Sequence, residues 1–159
     1  MNEENLAYNL IRELYQKKLK ISTAESCTGG LISKMITDVS GASNVFECGI
    51  CSYSDDIKQK ILNVKAETLK NYTAVSAWTA IEMADGVRKL SGSDIAISST
   101  GFAGPKVAGC TDLVGLVYIG ISLKNLKKTL KLELYRGIDD DRDFIRNQAA
   151  QRAIQLALE

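Results

Sequence analysis

The sequence predicts an α/β protein: a three-layer α/β/α sandwich built on a mixed, mostly parallel sheet with a C-terminal antiparallel hairpin. Three observations predict it. Strand-like and helix-like segments alternate from Lys20 to Ser99, the pattern of strands covered by helices on both faces. Two strand patterns end in glycine-rich turns, at 23–30 and 100–105. Two further strand patterns, Leu113 to Leu123 and Leu126 to Tyr135, meet at Asn125 with no helix between them, the signature of a hairpin. The 159 residues suit one domain, 1–159, large enough for a core of its own.

Taken in order, residues 2–19 read as an amphipathic helix. Leu6, Leu10 and Leu14 recur every fourth residue with Ile11 and Tyr15 beside them, acids lead and lysines close. Lys20 to Ala24 is a short strand. The turn Thr23-Ala24-Glu25-Ser26-Cys27-Thr28-Gly29-Gly30 leads into a helix to about Asp38 with Leu31, Ile32, Met35 and Ile36 on one face. A loop, 40–43, precedes a second strand, Val45 to Tyr53, and Ser54 caps a helix through Leu62 whose first turn holds Asp55 and Asp56. A short helix spans Ala66 to Tyr72. Ser76 caps the next, through Leu90, with Trp78, Ile81, Met83, Ala84 and Val87 facing the core and Gly92 as its stop. Ile95 to Ser99 is a third strand. After the hairpin, Arg142 to Leu158 forms the last helix, burying Ile145, Ala149, Ala153 and Leu156-Ala157.

Composition narrows the function. The formal net charge is +1, which argues against a nucleic-acid footprint. No apolar run reaches the roughly 20 residues that span a bilayer, so no membrane partner is expected. Met1-Asn2-Glu3-Glu4-Asn5 carries no basic region followed by an apolar stretch, which leads to the expectation of a cytoplasmic protein with reduced cysteines. There is no histidine. Serine–histidine and cysteine–histidine catalysis are therefore excluded, and the commonest metal ligand is missing.

The turn at 23–30 is the first candidate for chemistry. A strand–turn–helix at the carboxyl edge of a sheet presents amides, a hydroxyl and a helix N-terminus to the crevice where α/β proteins bind ligands. Ser26 is either a nucleophile with backbone N–H groups nearby or a capping serine in a tight turn. A serine without histidine needs another base, and Lys58, one turn into its helix beside Tyr53, is the candidate. Burial and the helix N-terminus would lower its pKa; Asp55 and Asp56 would raise that of a solvated lysine. Cys27 is a rival nucleophile or a small buried residue. Cys48-x-x-Cys51 reads poorly as a metal site, because residues three apart on a strand face opposite ways and no second pair completes it. Thr100, Gly101 and Gly104, in Thr100-Gly101-Phe102-Ala103-Gly104-Pro105, offer a second pocket wall. Arg142 is suited to a phosphate or carboxylate, or to pairing with Asp139 to Asp141.

Together these stretches resemble the C-terminal domain of the CinA family of competence/damage-inducible proteins, also known as nicotinamide-nucleotide amidases. The resemblance runs from about Leu6 to Leu156. It rests on Thr23 to Gly30, Ser40-Gly41-Ala42-Ser43, Tyr53-Ser54-x-x-x-Lys58, Ala74-Val75-Ser76, Thr100 to Pro105, Val114-Gly115-x-Val117-Tyr118 and Asp141-Arg142-x-x-Ile145-Arg146, in this order. It implies deamidation of a pyridine mononucleotide, nicotinamide mononucleotide, to nicotinic acid mononucleotide and ammonia, without metal or other cofactor. By motif position it implies Ser26 as nucleophile, Lys58 as base and Tyr53 as a further catalytic residue. Thr28, Gly29, Gly30, Thr100, Gly101, Gly104 and Arg142 would line the substrate. The chain looks like the stand-alone form of the family, and a sheet edge in a small domain allows a homodimer.

Two departures stand out. Where the family carries a Gly-Gly-Gly-Thr extension after Ala-Gly-Pro, this chain has Lys106-Val107-Ala108-Gly109-Cys110-Thr111-Asp112. Asp55 stands where the family often has asparagine. They motivate a second reading, a nucleotide-binding or regulatory module without turnover, and a third, an amidase for another amide.

Overall fold

A computed structural model describes residues 3–105, 113–137 and 141–159. The helices are α1 (Glu3–Lys17), α2 (Leu31–Thr37), α3 (Asp55–Leu62), α4 (Ala66–Tyr72), α5 (Ala77–Ser91) and α6 (Arg142–Leu158). The strands are β1 (Ile21–Glu25), β2 (Phe46–Cys51), β3 (Ile95–Gly101), β4 (Leu116–Leu123) and β5 (Lys127–Glu133). They form one sheet in the order β2-β1-β3-β4-β5. β1 pairs in parallel with β2 and β3, and β4 runs antiparallel to both β3 and β5. Four strands thus point one way and β4 against them, the mixed sheet with a terminal hairpin that the sequence predicts.

The helices form the outer two layers. α1, α2 and α6 pack on one face around Leu10, Ile32, Ile36, Ile145 and Ile154; α3, α4 and α5 cover the other around Leu62, Met83 and Val87. The central strands β1 and β3 are buried almost throughout, whereas β5, at an edge, is mostly exposed and carries Lys127, Lys128 and Lys131. Lysines along an edge discourage pairing with another chain. Among the described residues, no helix is long and apolar enough to cross a membrane.

Local chemistry sets the boundaries. Ser54 Oγ accepts from the Ile57 amide (3.3 Å) and Ser76 Oγ from the Thr79 amide (3.2 Å), the two caps expected from sequence. Gly92 ends α5 at φ 70°, and Leu123 and Leu126 close the turn around Asn125. Two aromatics expected against the core lie outside it. Trp78 is 56% exposed and packs on Tyr72, with ring centroids 5.6 Å apart. Met83, Ala84 and Val87 face inward as expected, joined by Thr79, Ala80 and Gly86, whose small size admits the helix backbone close to its neighbours, while Ile81 is only half-buried. Tyr15 projects from the outer side of α1.

Two glycines make that approach possible. A Cβ on Gly86 would sit 1.9 Å from the Leu62 carbonyl oxygen, and one on Gly120 2.4 Å from that of Ala80. Gly86 thereby seats the end of α3 against α5. We expect Gly86→Ala to destabilise the fold by about 1–3 kcal/mol, since backbone must move to relieve the overlap. Thermal unfolding checks this: a melting temperature unchanged from wild type would refute the close packing.

Candidate active site

The parallel register brings the ends of three strands level. Glu25 lies opposite Cys51 on one side and Ser99 on the other, so the segments after β1, β2 and β3 leave the sheet at the same edge. Ser26 is the first residue beyond β1. Its amide donates to the Ser99 carbonyl (3.0 Å), and its carbonyl accepts from the Gly29 amide (3.1 Å), closing a tight turn. Gly29 and Gly30 have φ of 60° and 95°, a region that residues with a Cβ rarely adopt.

Lys58 reaches this turn from the first turns of α3. Its side chain is 1% exposed, and Nζ donates to Ser26 Oγ (3.3 Å) and to the carbonyls of Ser52 (2.9 Å) and Tyr53 (3.2 Å). A neutral amine has two protons and one lone pair. As an ammonium, Lys58 donates to all three acceptors; once neutral, its two protons can stay with the two carbonyls and its lone pair can accept from the Ser26 hydroxyl. Burial lowers the Lys58 pKa from 10.5, opposed by Asp55, whose carboxylate lies 3.8 Å away, and by Cys27. Of the two sequence readings, the buried lysine is the one observed.

Cys27, the rival nucleophile, is only 5% exposed, and burial pushes its thiol up to about 11 from 9.0. It is a packing residue with almost no thiolate at neutral pH. In the folded protein, iodoacetamide at pH 8 should therefore leave Cys27 unmodified while the exposed Cys51 is alkylated. Peptide mass mapping decides, and rapid labelling of Cys27 would contradict its burial. Cys48 is half-buried and Cys51 exposed, on a strand whose burial alternates residue by residue. Among the described residues no three metal-ligating side chains cluster.

A cavity of about 270 Å³ opens beside the turn, lined by Cys27, Tyr53, Gly101, Gly104, Val114 and Arg142 together with Phe102, Ala103 and Pro105. The Arg142 guanidinium donates through Nη2 to the Tyr53 hydroxyl (3.2 Å) and through Nη1 to the Gly104 carbonyl. One basic side chain thus joins the β2–α3 segment, the β3 loop and the start of α6 across the cavity. The loop 106–112 lies outside the described residues. A larger groove of about 540 Å³ between α1, α2 and α6 contains the Lys34–Asp38 pair but no serine or cysteine among its described lining residues.

Several residues expected to line the substrate have other positions. The Thr28 side chain is fully buried, and its hydroxyl bonds to Glu25 Oε2 (2.6 Å) and Ser99 Oγ (2.7 Å). Thr100 is 1% exposed and donates to the Ala74 carbonyl (2.6 Å), tying β3 to the α4–α5 connection instead of facing the cavity. Short hydroxyls at strand ends are consumed by local bonds before a ligand can use them. The amides of Gly29 and Gly30 are also engaged, with the Ser26 carbonyl and the Glu25 carboxylate. Among the described residues, the amides of Cys27 and Thr28 have no oxygen acceptor.

Two residues that hold the turn escaped the sequence reading. Glu25, fully buried, accepts from the Gly30, Ile32 and Ser33 amides and the Thr28 and Ser33 hydroxyls at 2.6–3.0 Å. The helix N-terminus seen in the sequence as an anion seat is thus filled from within. Arg146 donates to the carbonyls of Cys27 (3.2 Å) and Thr28 (2.8 Å), pinning the turn from α6. The signals were present: an acid at the end of a short strand of mostly small residues, and an arginine one turn after Arg142.

Comparison with known proteins identifies the family. The model of the CinA C-terminal domain matches residues 3–159. A putative competence-damage inducible protein of Caldicellulosiruptor saccharolyticus is 46% identical over 156 residues, which are 98% of this chain and 37% of that protein. A CinA-like protein of Kosmotoga olearia is also 46% identical, with the same shares. The chain spans little more than a third of the length of these relatives. Among solved structures, competence/damage inducible protein CihA from Agrobacterium tumefaciens superposes with a TM-score of 0.89 at 35% identity, covering 98% of this chain and 94% of that one. The competence damage-inducible protein A from Klebsiella pneumoniae gives 0.92 at 28% identity, covering 99% and 96%. By sequence over nearly its whole length and by fold, the chain belongs to the CinA C-terminal domain family.

Proposed function

We propose that this chain is an amidohydrolase that deamidates nicotinamide mononucleotide to nicotinic acid mononucleotide and ammonia. One observation carries the reading: the amine of a buried lysine whose pKa is lowered stands 3.3 Å from the hydroxyl of a serine in a turn beside a cavity. A neutral amine in contact with a hydroxyl is a nucleophile–base pair that needs no histidine.

The reaction runs in two halves. Ser26 Oγ attacks the carboxamide carbon as its proton passes to Lys58 Nζ. The carbonyl oxygen becomes an oxyanion, met by the Thr28 amide and by the Cys27 amide once it turns from its own thiol. The Lys58 ammonium, held by the Ser52 and Tyr53 carbonyls, returns the proton to the departing nitrogen. Ammonia leaves and the acyl group stays on Ser26 as an ester. Water then attacks the ester with Lys58 again as base, the carboxylate product departs and Ser26 regains its proton. Arg142 supplies positive charge at the cavity wall for the 5′-phosphate and can exchange its bond to the Gly104 carbonyl for bonds to the ligand.

Asp55 favours one alternative, a nucleotide-binding module without turnover, because its carboxylate at 3.8 Å stabilises the protonated, inert form of Lys58. One assay separates the two. Purified protein is incubated with nicotinamide mononucleotide and with a panel of other carboxamides, and free ammonia is measured beside the melting temperature. Ammonia from the mononucleotide supports the proposal, and ammonia from another amide alone reassigns the substrate. A thermal shift without ammonia supports the binding module. Neither response from folded protein would sink both.

A further inference from the structure

We infer that Glu25 is a positioning residue for the nucleophile: an internal anion that holds the turn so that Ser26 stands in line with Lys58. The inference rests on the reading of Ser26 and Lys58 given above. Its own evidence is the hydrogen bonding of a fully buried carboxylate that belongs to neither the nucleophile nor the base.

The turn needs such an anchor. The residue in the N-cap position of α2 is Gly30, which sits in the left-handed region and offers no side-chain acceptor. An ordinary cap, a serine or aspartate at that position, would need extended backbone there and would not make this turn. The amides that open the helix therefore require an acceptor from elsewhere. Glu25 supplies it from the end of β1, five residues upstream. Its Oε2 takes the Gly30 and Ile32 amides at 2.9 and 3.0 Å, and its Oε1 takes the Ser33 amide and hydroxyl at 2.8 and 2.7 Å. Between Glu25 and Gly30, the first residue whose amide binds its carboxylate, lie Ser26, Cys27, Thr28 and Gly29. The carboxylate thus closes a ring around the nucleophile, with the Thr28 hydroxyl as a strut across it (2.6 Å to Oε2).

The ring also selects which amides face the reaction. With Gly30, Ile32 and Ser33 committed to Glu25 and Gly29 to the Ser26 carbonyl, the Thr28 amide is left without an oxygen acceptor among the described residues, and the Cys27 amide faces only its own thiol. Loss of the carboxylate frees five donors, three of them backbone amides, and lets Ser26 drift from Lys58. A displacement of this kind lowers turnover more than binding, because the cavity walls at Gly101 to Pro105 and Arg142 belong to other segments.

The test uses Glu25→Gln, which keeps the volume and replaces one acceptor oxygen by a donor, and Ser33→Ala, which removes one of the five donors to Glu25 along with the Thr23 bond to the same hydroxyl and serves if the glutamine variant does not fold. Three readouts are taken on the full chain. Steady-state kinetics should give kcat lower by about a hundredfold for Glu25→Gln, with KM and the acidic pH midpoint unchanged. Labelling of Ser26 by a fluorophosphonate should slow in parallel. Hydrogen exchange of the amides from Ser26 to Ser33 should speed up roughly tenfold or more, while the β3 amides keep wild-type rates. Ser33→Ala should move each readout the same way and less. Exchange at wild-type rates in both variants would overturn the inference. So would equal losses of exchange protection throughout the protein, which mark general destabilisation. If the wild type releases no ammonia, the amidase reading fails, and the exchange pattern still decides the role of Glu25.

Discussion

Replacing Ser26 by alanine is expected to lower ammonia release at least about a thousandfold and to leave the fold and mononucleotide binding in place. The turn does not depend on the hydroxyl. Its bonds to Ser99 and Gly29 are made by the Ser26 backbone, and Arg146 holds the carbonyls of the next two residues. What the substitution removes is the attacking oxygen and one partner of Lys58. No neighbouring group replaces it, since Cys27 is buried with its thiol pushed up to about 11. The measurements are ammonia release and the thermal shift produced by the mononucleotide in wild type and Ser26→Ala. Turnover within tenfold of wild type would remove Ser26 from the chemistry, and a variant that no longer folds would show that the hydroxyl has a structural role.

Where a residue's position follows from its nearest neighbours in the chain, it was legible. Ser54 and Ser76 cap their helices, Gly92 ends one, and Asn125 turns a hairpin, because each depends on a few consecutive residues. The alternation of strands and helices was enough to place the turns after β1 and β3 at one edge of the sheet. What was not legible depends on partners far along the chain. Lys58 could be buried or solvated from sequence alone. Its burial follows from α3 lying against α5, where Gly86 has no side chain, and from the carbonyls of Ser52 and Tyr53. Trp78 falls on the outer side of α5 because the face turned to the sheet is set by contact with β4, which only small residues allow. Thr28 and Thr100 looked like ligand contacts, as hydroxyls beside glycines often do. Their partners, Ser99 for one and Ala74 for the other, are 71 and 26 residues away. Glu25 was hidden for a related reason: its five donors lie on the turn and α2, but only the buried end of a strand makes a carboxylate there an anchor.

Lys58→Met should reduce kcat by about 10³–10⁴, within the range of a lost general base, and change the pH dependence of stability in a defined direction. Activity requires the neutral amine, so the wild-type rate rises with pH through the lowered Lys58 pKa. Asp55 opposes that lowering, and Asp55→Asn should move the acidic midpoint to lower pH. Stability follows from the same shift. Between the folded value and the unfolded 10.5, the unfolded chain binds the extra proton, so the Lys58 contribution rises with pH through that window. Below the window the folded protein bears the whole cost of a charged amine in a buried site. Cys27 acts in the other direction: between 9.0 and about 11 the unfolded thiol ionises first, and stability falls with pH. The raw profile mixes the two; the difference between wild type and Lys58→Met removes the Cys27 contribution common to both chains and leaves the lysine with its coupling to Cys27. That difference should change with pH only above the folded Lys58 value, and its alkaline limit should be the more favourable to wild type. Denaturant unfolding from pH 6 to 10 measures it. A flat difference would mean that Lys58 has an ordinary pKa, and a lysine charged throughout that range could not serve Ser26 as a base.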